Sequence, residues 1–184
     1  VVFLEKNSIE HFELAFGAAL LNAVSVDVNW RLAPPEVEYI VNNAEAKVLV
    51  VGKDFVPVAE AIADKLTTVT TILVIGEHPK YADWNEWLLS QKTGDPGEVQ
   101  TRDDISFQLY SSGTTGLPKG VLLDNNNLLS LAPMIKSIWG LDENSINMAA
   151  MPLFHIGGGG WATASRCRCA RAMWRCRTPI ISRA

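Results

Sequence analysis

The sequence predicts an α/β fold built on a largely parallel sheet. Short β-branched runs alternate along the chain with stretches whose apolar residues recur at helical spacing. That order favours parallel strands joined by right-handed crossover helices. Apolar residues make up 48% of the 184 residues and charged residues 20%, which excludes wholesale disorder, collagen and a disulfide scaffold. The length suits one domain or part of a larger one.

The first half of the chain is predicted to contain four strands and three helices. Strands are expected at Val1–Leu4, Val24–Val28, Lys47–Gly52 and Thr70–Ile75. Helices are expected from Ser8 to about Leu21, from Pro34 onward, and from Asp54 to about Leu66. Ser and Asp are residue types that cap helix N-termini, and proline is tolerated in a first turn. The valines at 24, 26 and 28 alternate with Ser25 and Asp27, as is typical of a strand.

The second half continues the alternation. Tyr81–Gln91 is expected to form a short helix with Trp84 and Trp87 on its inner side, followed by a loop over Lys92–Asp104. Further strands are expected at Ile105–Tyr110, Gly120–Leu123 and Ile146–Ala150. Between the last two, Asp124 or Asn125 can cap a helix that contains Pro133.

The charge is distributed unevenly along the chain. The first 160 residues hold 10 basic and 20 acidic side chains and no cysteine. The last 24 hold six arginines, no acidic residue and all three cysteines, Cys167, Cys169 and Cys176. We therefore divide the chain into a partial domain over residues 1–164 and an aberrant Arg/Cys-rich tail over 165–184. A shifted reading frame is our preferred explanation of the tail. A basic nucleic-acid arm and a three-cysteine metal site, short of the usual four ligands, are the alternatives.

Neither a membrane span nor a secretory signal is expected. The longest mostly apolar stretch, Leu14–Val26, is interrupted by Asn22 and Ser25 and falls short of the roughly 18 to 20 residues a span needs. The N-terminus lacks a basic start, a long apolar core and an initial Met. We expect a cytoplasmic protein whose chain begins inside a longer product.

Residues 110–120, Tyr-Ser-Ser-Gly-Thr-Thr-Gly-Leu-Pro-Lys-Gly, are the most informative segment. Its glycines permit a tight turn, and successive backbone N–H groups in such a loop can form an anion site. Four hydroxyls and the ammonium of Lys119 complete the elements of a polyphosphate cradle. An exposed turn is the alternative. A Walker A loop fits poorly, because that motif ends in Gly-Lys-Ser/Thr before a helix, whereas Lys119 follows a proline and precedes a predicted strand.

The segment Ser112–Gly120 resembles the signature loop of the adenylate-forming (AMP-binding) superfamily, which includes acyl-CoA synthetases, luciferases and peptide-synthetase adenylation domains. Asn29–Glu36 and Met151–Gly158 resemble two further segments of that superfamily, in the same order and spacing. The residue sequences of these segments are most similar to those of fatty-acyl-CoA synthetases. The resemblance covers roughly residues 1–163 and implies parallel-sheet subdomains of an incomplete N-terminal domain.

The resemblance implies a ligase that uses ATP and Mg²⁺ to convert a fatty acid, in particular a long-chain one, to acyl-AMP and then transfers the acyl group to coenzyme A. It implies that ATP phosphates are bound by Ser111, Ser112, Gly113, Thr114, Thr115, Gly116 and Lys119. Ser111 stands where the family usually has Thr and is also a candidate magnesium contact. His155, Gly157 and Gly158 are implied to line the acyl pocket. Residues 157–160 are all glycine, which permits close backbone approach, an open path for a long chain, or simply a flexible turn.

The resemblance also implies what this chain lacks: the Tyr-Gly-x-Thr-Glu motif, the ribose-binding Asp and the C-terminal domain with its catalytic Lys. We therefore expect the chain alone to be inactive. An acyl-AMP ligase fragment feeding a carrier protein, a non-catalytic remnant and a stand-alone nucleotide-binding module remain alternatives. Expected partners are ATP, fatty acid and coenzyme A, with peripheral membrane contact for a long-chain acid and no nucleic acid.

His11 and His78 are expected at the surface without a role, and Trp30 and Arg31 in structural roles.

Overall fold

The computed structural model describes residues 1–112, 116–140, 145, 148 and 150–160. These residues form a seven-stranded sheet whose strands are β1 (Val2–Leu4), β2 (Ser25–Asp27), β3 (Val48–Gly52), β4 (Thr71–Ile75), β5 (Ala82–Asp83), β6 (Ile105–Ser111) and β7 (Lys119–Asp124). The strand order is β5-β4-β3-β1-β2-β6-β7. Neighbours are parallel except β6 and β7, which form an antiparallel pair. The predicted α/β class is confirmed.

Five α-helices accompany the described strands: α1 (Ile9–Leu20), α2 (Pro34–Asn43), α3 (Val56–Ile62), α4 (Trp84–Leu89) and α5 (Asn125–Trp139). Two begin with a side-chain cap. The Asp83 carboxylate accepts a hydrogen bond from the Glu86 N–H at 2.9 Å, and that of Asp124 accepts one from the Asn127 N–H at 2.7 Å. Such caps satisfy N–H groups that the helix itself leaves unpaired.

The prediction that Asp54 caps the third helix is wrong. A 3₁₀ turn over Lys53–Phe55 precedes α3, which begins at Val56 and contains no capping side chain. The Asp54 carboxylate instead accepts a hydrogen bond from Lys6 Nζ at 2.9 Å. This hydrogen bond and the charge of Lys6 lower the pKa of Asp54 below its ordinary value. A charged partner on the β1–α1 loop therefore replaces the backbone N–H groups that a cap would bind.

Helices cover both faces of the parallel part of the sheet. On one face, Val2 and Leu4 of β1 join a core cluster with residues of α2 and α3, while Phe3 on the other face packs with Leu14 of α1 and Trp84 of α4. The predicted inner position of Trp84 is thus confirmed. A strand that is covered on both faces has no side that faces solvent. All three residues of β2 are accordingly buried, including the polar Ser25 and Asp27.

The expected surface position of His11 is also wrong. The residue is only 3% exposed, because α1 lays it on the face of the sheet that carries Phe3 and Asp27. The Phe3 ring meets the imidazole edge-on with a centroid separation of 5.3 Å, and Nδ1 lies 3.5 Å from Asp27 Oδ1.

Among the described residues the sheet ends at β7, in a region with much exposed apolar surface. Val121 and Leu122 of β7 are 47% and 56% exposed, and Ile138 and Trp139 of α5 are also more than half exposed. The strand predicted at Ile146–Ala150 lies mostly outside the described residues, as does the tail. In the part of the chain that is described, no helix is long and apolar enough to cross a membrane.

Candidate functional site

A cleft of about 560 Å³ opens beside the carboxyl ends of β2 and β6, a volume in the usual range for small-molecule sites. Among its lining residues are Ser111, Ser112, Gly116, Pro118, Phe154 and His155. Open parallel sheets bind ligands at the carboxyl ends of their strands, because loops converge there. Two predicted segments about 40 residues apart in sequence therefore share one cleft.

The predicted phosphate loop connects β6 to β7. Ser111 is the last residue of β6 and pairs with Lys119, the first residue of β7. Gly116 has a φ of +96°, a backbone conformation that glycine adopts without the steric cost other residues incur. The loop positions Gly113, Thr114 and Thr115 lie outside the described residues. Among the described residues of the loop, Gly116 therefore has the turn conformation that the sequence indicates.

Lys119 is exposed and is not among the residues that line the cleft. Side chains two apart on a strand point to the same face, so Lys119 shares a face of β7 with Val121 and Leu123. Both of these do line the cleft. A long, flexible lysine at that position can extend its ammonium toward the cleft mouth.

Tyr110 anchors the start of the loop, a role that the sequence analysis missed. Its hydroxyl donates a hydrogen bond to Asn43 Oδ1 at 2.7 Å and accepts one from Gln108 Nε2 at 3.0 Å. Burial raises the pKa of Tyr110 to about 12, which keeps the hydroxyl protonated at neutral pH. The residue thereby ties the end of β6 to the last turn of α2. No local pattern reveals this contact, since Asn43 lies 67 residues earlier.

His155 starts a short turn of helix over residues 156–160. Its carbonyl oxygen accepts hydrogen bonds from the N–H groups of Gly158 and Gly159, at 2.9 and 2.8 Å. Its Nδ1 accepts one from the Gly157 N–H at 3.1 Å. A neutral imidazole with Nδ1 as acceptor carries its proton on Nε2. The exposed ring therefore presents an N–H donor suited to a carboxylate or phosphate oxygen.

Gly157 and Gly158 line a second, mainly apolar cleft of about 620 Å³, and Ile156 lines both clefts. Other residues of this second cleft are Leu131, Trp139, Met148, Ala150 and Met151. A Cβ on Gly158 would lie 2.1 Å from the Pro152 carbonyl oxygen. Of the alternatives for the glycine run, close backbone approach is therefore the one this geometry favours at Gly158.

The segment that carries His155 is attached to the body by two polar residues. The Asn7 side chain donates from Nδ2 to the Met151 carbonyl oxygen and accepts at Oδ1 from the Leu153 N–H, both at 2.9 Å. The Arg31 guanidinium lies 4.2 Å from the centre of the Trp30 ring and 5.7 Å from that of Phe154. Trp30 and Arg31 thus have the structural setting expected of them, while Asn7 was missed.

The described residues offer few ligand atoms for a cation. Ser111 contributes one hydroxyl, which lies 3.5 Å from the Lys119 carbonyl oxygen. The described residues contain no group of three or more His, Cys, Asp or Glu that could hold a metal ion. Mg²⁺ takes carboxylates and phosphate oxygens as ligands, so these residues do not fit a magnesium site made by protein groups alone.

Comparison with known proteins gives a consistent result. A family described as AMP-binding enzyme matches residues 1–173, a range that extends past residue 164 into the Arg/Cys-rich tail. A fatty acid–[acyl-carrier-protein] ligase of Streptomyces coeruleorubidus is 36% identical over 169 residues, covering 89% of this chain and 31% of that protein. A long-chain-fatty-acid–CoA ligase of Thermus thermophilus is 35% identical over 160 residues, with 85% and 29% coverage.

The fold comparison agrees with the sequence comparison. A crystal structure of an anthranilate CoA ligase in complex with anthranoyl-AMP superposes with a TM-score of 0.80 and 35% identity, covering 86% of this chain and 30% of that one. The chain thus spans about 30% of the length of the relatives it matches.

Proposed function

Because the chain belongs to the AMP-binding enzyme family, we propose that it is part of an ATP-dependent ligase that joins a fatty acid to coenzyme A. The observation that carries this proposal is the single cleft shared by Ser111, Ser112, Gly116 and His155. It puts a loop suited to phosphates beside a donor suited to a carboxylate. The adjoining apolar cleft supports an acyl chain as the rest of the substrate.

The proposed reaction has two steps. A carboxylate oxygen of the acid attacks the α-phosphorus of ATP, and the bond to the β-phosphate oxygen breaks to release pyrophosphate. The thiol sulfur of coenzyme A then attacks the acyl carbon of acyl-AMP, AMP leaves, and the thiol proton is released. Both steps depend on holding the reactants in line and on donors that face the developing negative charge.

We assign the described residues to binding roles in the first step. The hydroxyls of Ser111 and Ser112, with the loop around Gly116 and the ammonium of Lys119, bind the β- and γ-phosphates. The Nε2–H of His155 donates to the acid's carboxylate, and Gly157 and Gly158 line the cleft that takes the acyl chain. Gly113, Thr114 and Thr115 complete the phosphate loop in this proposal. Mg²⁺ would enter with the ATP phosphates and would offset part of their negative charge.

Two alternatives to this function are each favoured by a specific observation. The Streptomyces relative is a ligase that acts on an acyl-carrier protein, so a carrier protein can replace coenzyme A as the acceptor. The Arg/Cys-rich composition of the last 24 residues favours a non-catalytic remnant, with residues 1–164 as a partial domain and 165–184 as a frameshifted tail. With either coenzyme A or a carrier protein as the acceptor, we place the protein in cytoplasmic lipid metabolism, with long-chain acids as the favoured substrates.

The test is ATP binding by the 184-residue chain. We expect calorimetry to detect binding of Mg·ATP that Lys119→Ala weakens by about tenfold, the effect of losing one charge-assisted contact. Lys92→Ala removes a lysine from the exposed loop before β6 and is the matched control. Assays of ATP–pyrophosphate exchange should find no acyl-AMP formation by the chain alone. Equal ATP binding by the wild type and both variants would contradict the proposed phosphate role of Lys119.

A further inference from the structure

The amide of Asn7 occupies an unusual position between two distant parts of the chain. It follows β1 in the first loop, yet it binds the backbone at Met151 and Leu153, 144 and 146 residues later. One planar amide supplies the donor and the acceptor from two separate atoms, Nδ2 and Oδ1, held in a fixed relative geometry. Asn7 therefore fixes the direction of the backbone as well as its distance.

The backbone that Asn7 binds leads directly to His155. Leu153, whose N–H donates to Asn7, is 2% exposed, and the Pro152 carbonyl oxygen accepts a hydrogen bond from the His155 N–H at 3.2 Å. The next residue, Phe154, lies against the guanidinium of Arg31. The orientation of the His155 ring thus depends on where residues 151–153 are held.

We propose that Asn7 is a positioning residue that sets the orientation of His155 in the cleft. It acts through the backbone of residues 151–153 and touches no substrate. This inference rests on the proposed function only in taking a carboxylate as the group that His155 binds. The contacts between Asn7 and residues 151–153 do not depend on that function. It adds to the site a residue from the opposite end of the chain that no motif contains.

The variants separate local positioning from general stability. Asn7→Ala removes both hydrogen bonds, whereas Asn7→Asp keeps an acceptor for the Leu153 N–H but loses the donor to Met151. Asn42 offers a matched control, because its amide makes an equivalent bridge elsewhere. It donates to the Lys65 carbonyl oxygen at 3.0 Å and accepts from the Thr67 N–H at 2.9 Å.

Nuclear magnetic resonance of the ¹⁵N-labelled chain provides the readout. In the wild type we expect His155 to carry its proton on Nε2 and the Leu153 amide to exchange slowly. Asn7→Ala should speed exchange of the Leu153 amide by about tenfold or more, as a lost hydrogen bond of ordinary strength allows, and should shift the imidazole toward a mixture of tautomers. Asn7→Asp should preserve most of the Leu153 protection. Asn42→Ala should leave both signals unchanged.

The inference is overturned if Asn7→Ala leaves the His155 and Leu153 signals as in the wild type, or if Asn42→Ala changes them equally. Titration with octanoate is the second arm. We expect it to move the Nε2–H signal of His155 in the wild type and to do so more weakly in Asn7→Ala. If the first arm succeeds and octanoate moves nothing in the wild type, the positioning role stands and the proposed carboxylate site is refuted.

Discussion

Asp27 and His11 are two ionisable side chains enclosed between α1 and the sheet, each only 3% exposed. Neither oxygen of the Asp27 carboxyl group nor Nε2 of His11 has a hydrogen-bond partner among the described residues. Burial raises the pKa of Asp27 to about 8 and lowers that of His11 to about 4. Both groups are therefore uncharged at neutral pH, because a charge would lose its hydration there.

This pair predicts how stability changes with pH. Between pH 6.5 and 8 the native state keeps the Asp27 proton that the unfolded state has released, so stability falls as pH rises, by at most about 1.4 kcal/mol per pH unit. Between about pH 4 and 6.5 the unfolded state holds the extra proton on His11, and the two slopes oppose each other. Urea unfolding at several pH values measures this, and Asp27→Asn should remove the fall above pH 6.5. A wild-type stability that rises from pH 6.5 to 8 would contradict it.

At the scale of an element, the turn that carries His155 is shaped by contact between backbone groups. Gly158 packs on the Pro152 carbonyl oxygen and Gly159 on that of Leu153. At neither position is there space for a Cβ, and backbone atoms cannot move aside as a flexible side chain can. The glycine run of the sequence is therefore required by packing at these two positions.

Two alanine substitutions test this packing. Gly158→Ala places a Cβ 2.1 Å from the Pro152 carbonyl oxygen, whereas at Gly157 the nearest atom is the flexible Met151 side-chain end at 2.9 Å. We expect Gly158→Ala to displace the turn at a local cost of about 1–3 kcal/mol and Gly157→Ala to be tolerated. Exchange of the Leu153 and Gly159 amides reports the difference. Equal exchange in the two variants would mean that the turn tolerates a Cβ at Gly158.

At the scale of the whole molecule, the described residues cover the parallel part of the sheet and leave the β7 end exposed. The chain spans about 30% of the relatives it matches, and exposed apolar side chains concentrate near β7 and α5, among them Leu117, Leu122, Ile138 and Trp139. An exposed edge strand with apolar side chains is a template for pairing with another chain.

We therefore predict that the isolated chain self-associates through the β7 end. Light scattering should give an apparent mass that rises with concentration, and thermal unfolding should depend on concentration too. Leu122→Lys should reduce the association, because a charged side chain on an edge strand opposes pairing. Leu89→Lys, at the end of α4, changes a leucine that is 61% exposed on another part of the surface and should have no effect. Monomeric behaviour at all concentrations would refute this prediction.

Much of the fold could be predicted from local pattern. The strands around Val26, Val50 and Leu73 and the helix after Pro34 lie close to where periodicity and caps place them, because these signals act within one element. The errors at His11 and Asp54 have one cause. Both residues take partners from elsewhere in the sequence, Asp27 and Lys6, and neither partner changes the local pattern.

For the site, the sequence predicts a chemical role for each segment, and these roles stay predictions. The Gly/Ser/Thr loop and the segment around His155 are recognisable because their residue types limit what the backbone and side chains can do. That they share one cleft follows from the crossover that brings β6 next to β2. The contacts of Asn7 with Met151 and of Tyr110 with Asn43 join residues far apart in the chain, and coverage by helices on both faces sets the protonation of Asp27. These features depend on which elements pack together, and long-range packing leaves no periodic trace in the sequence.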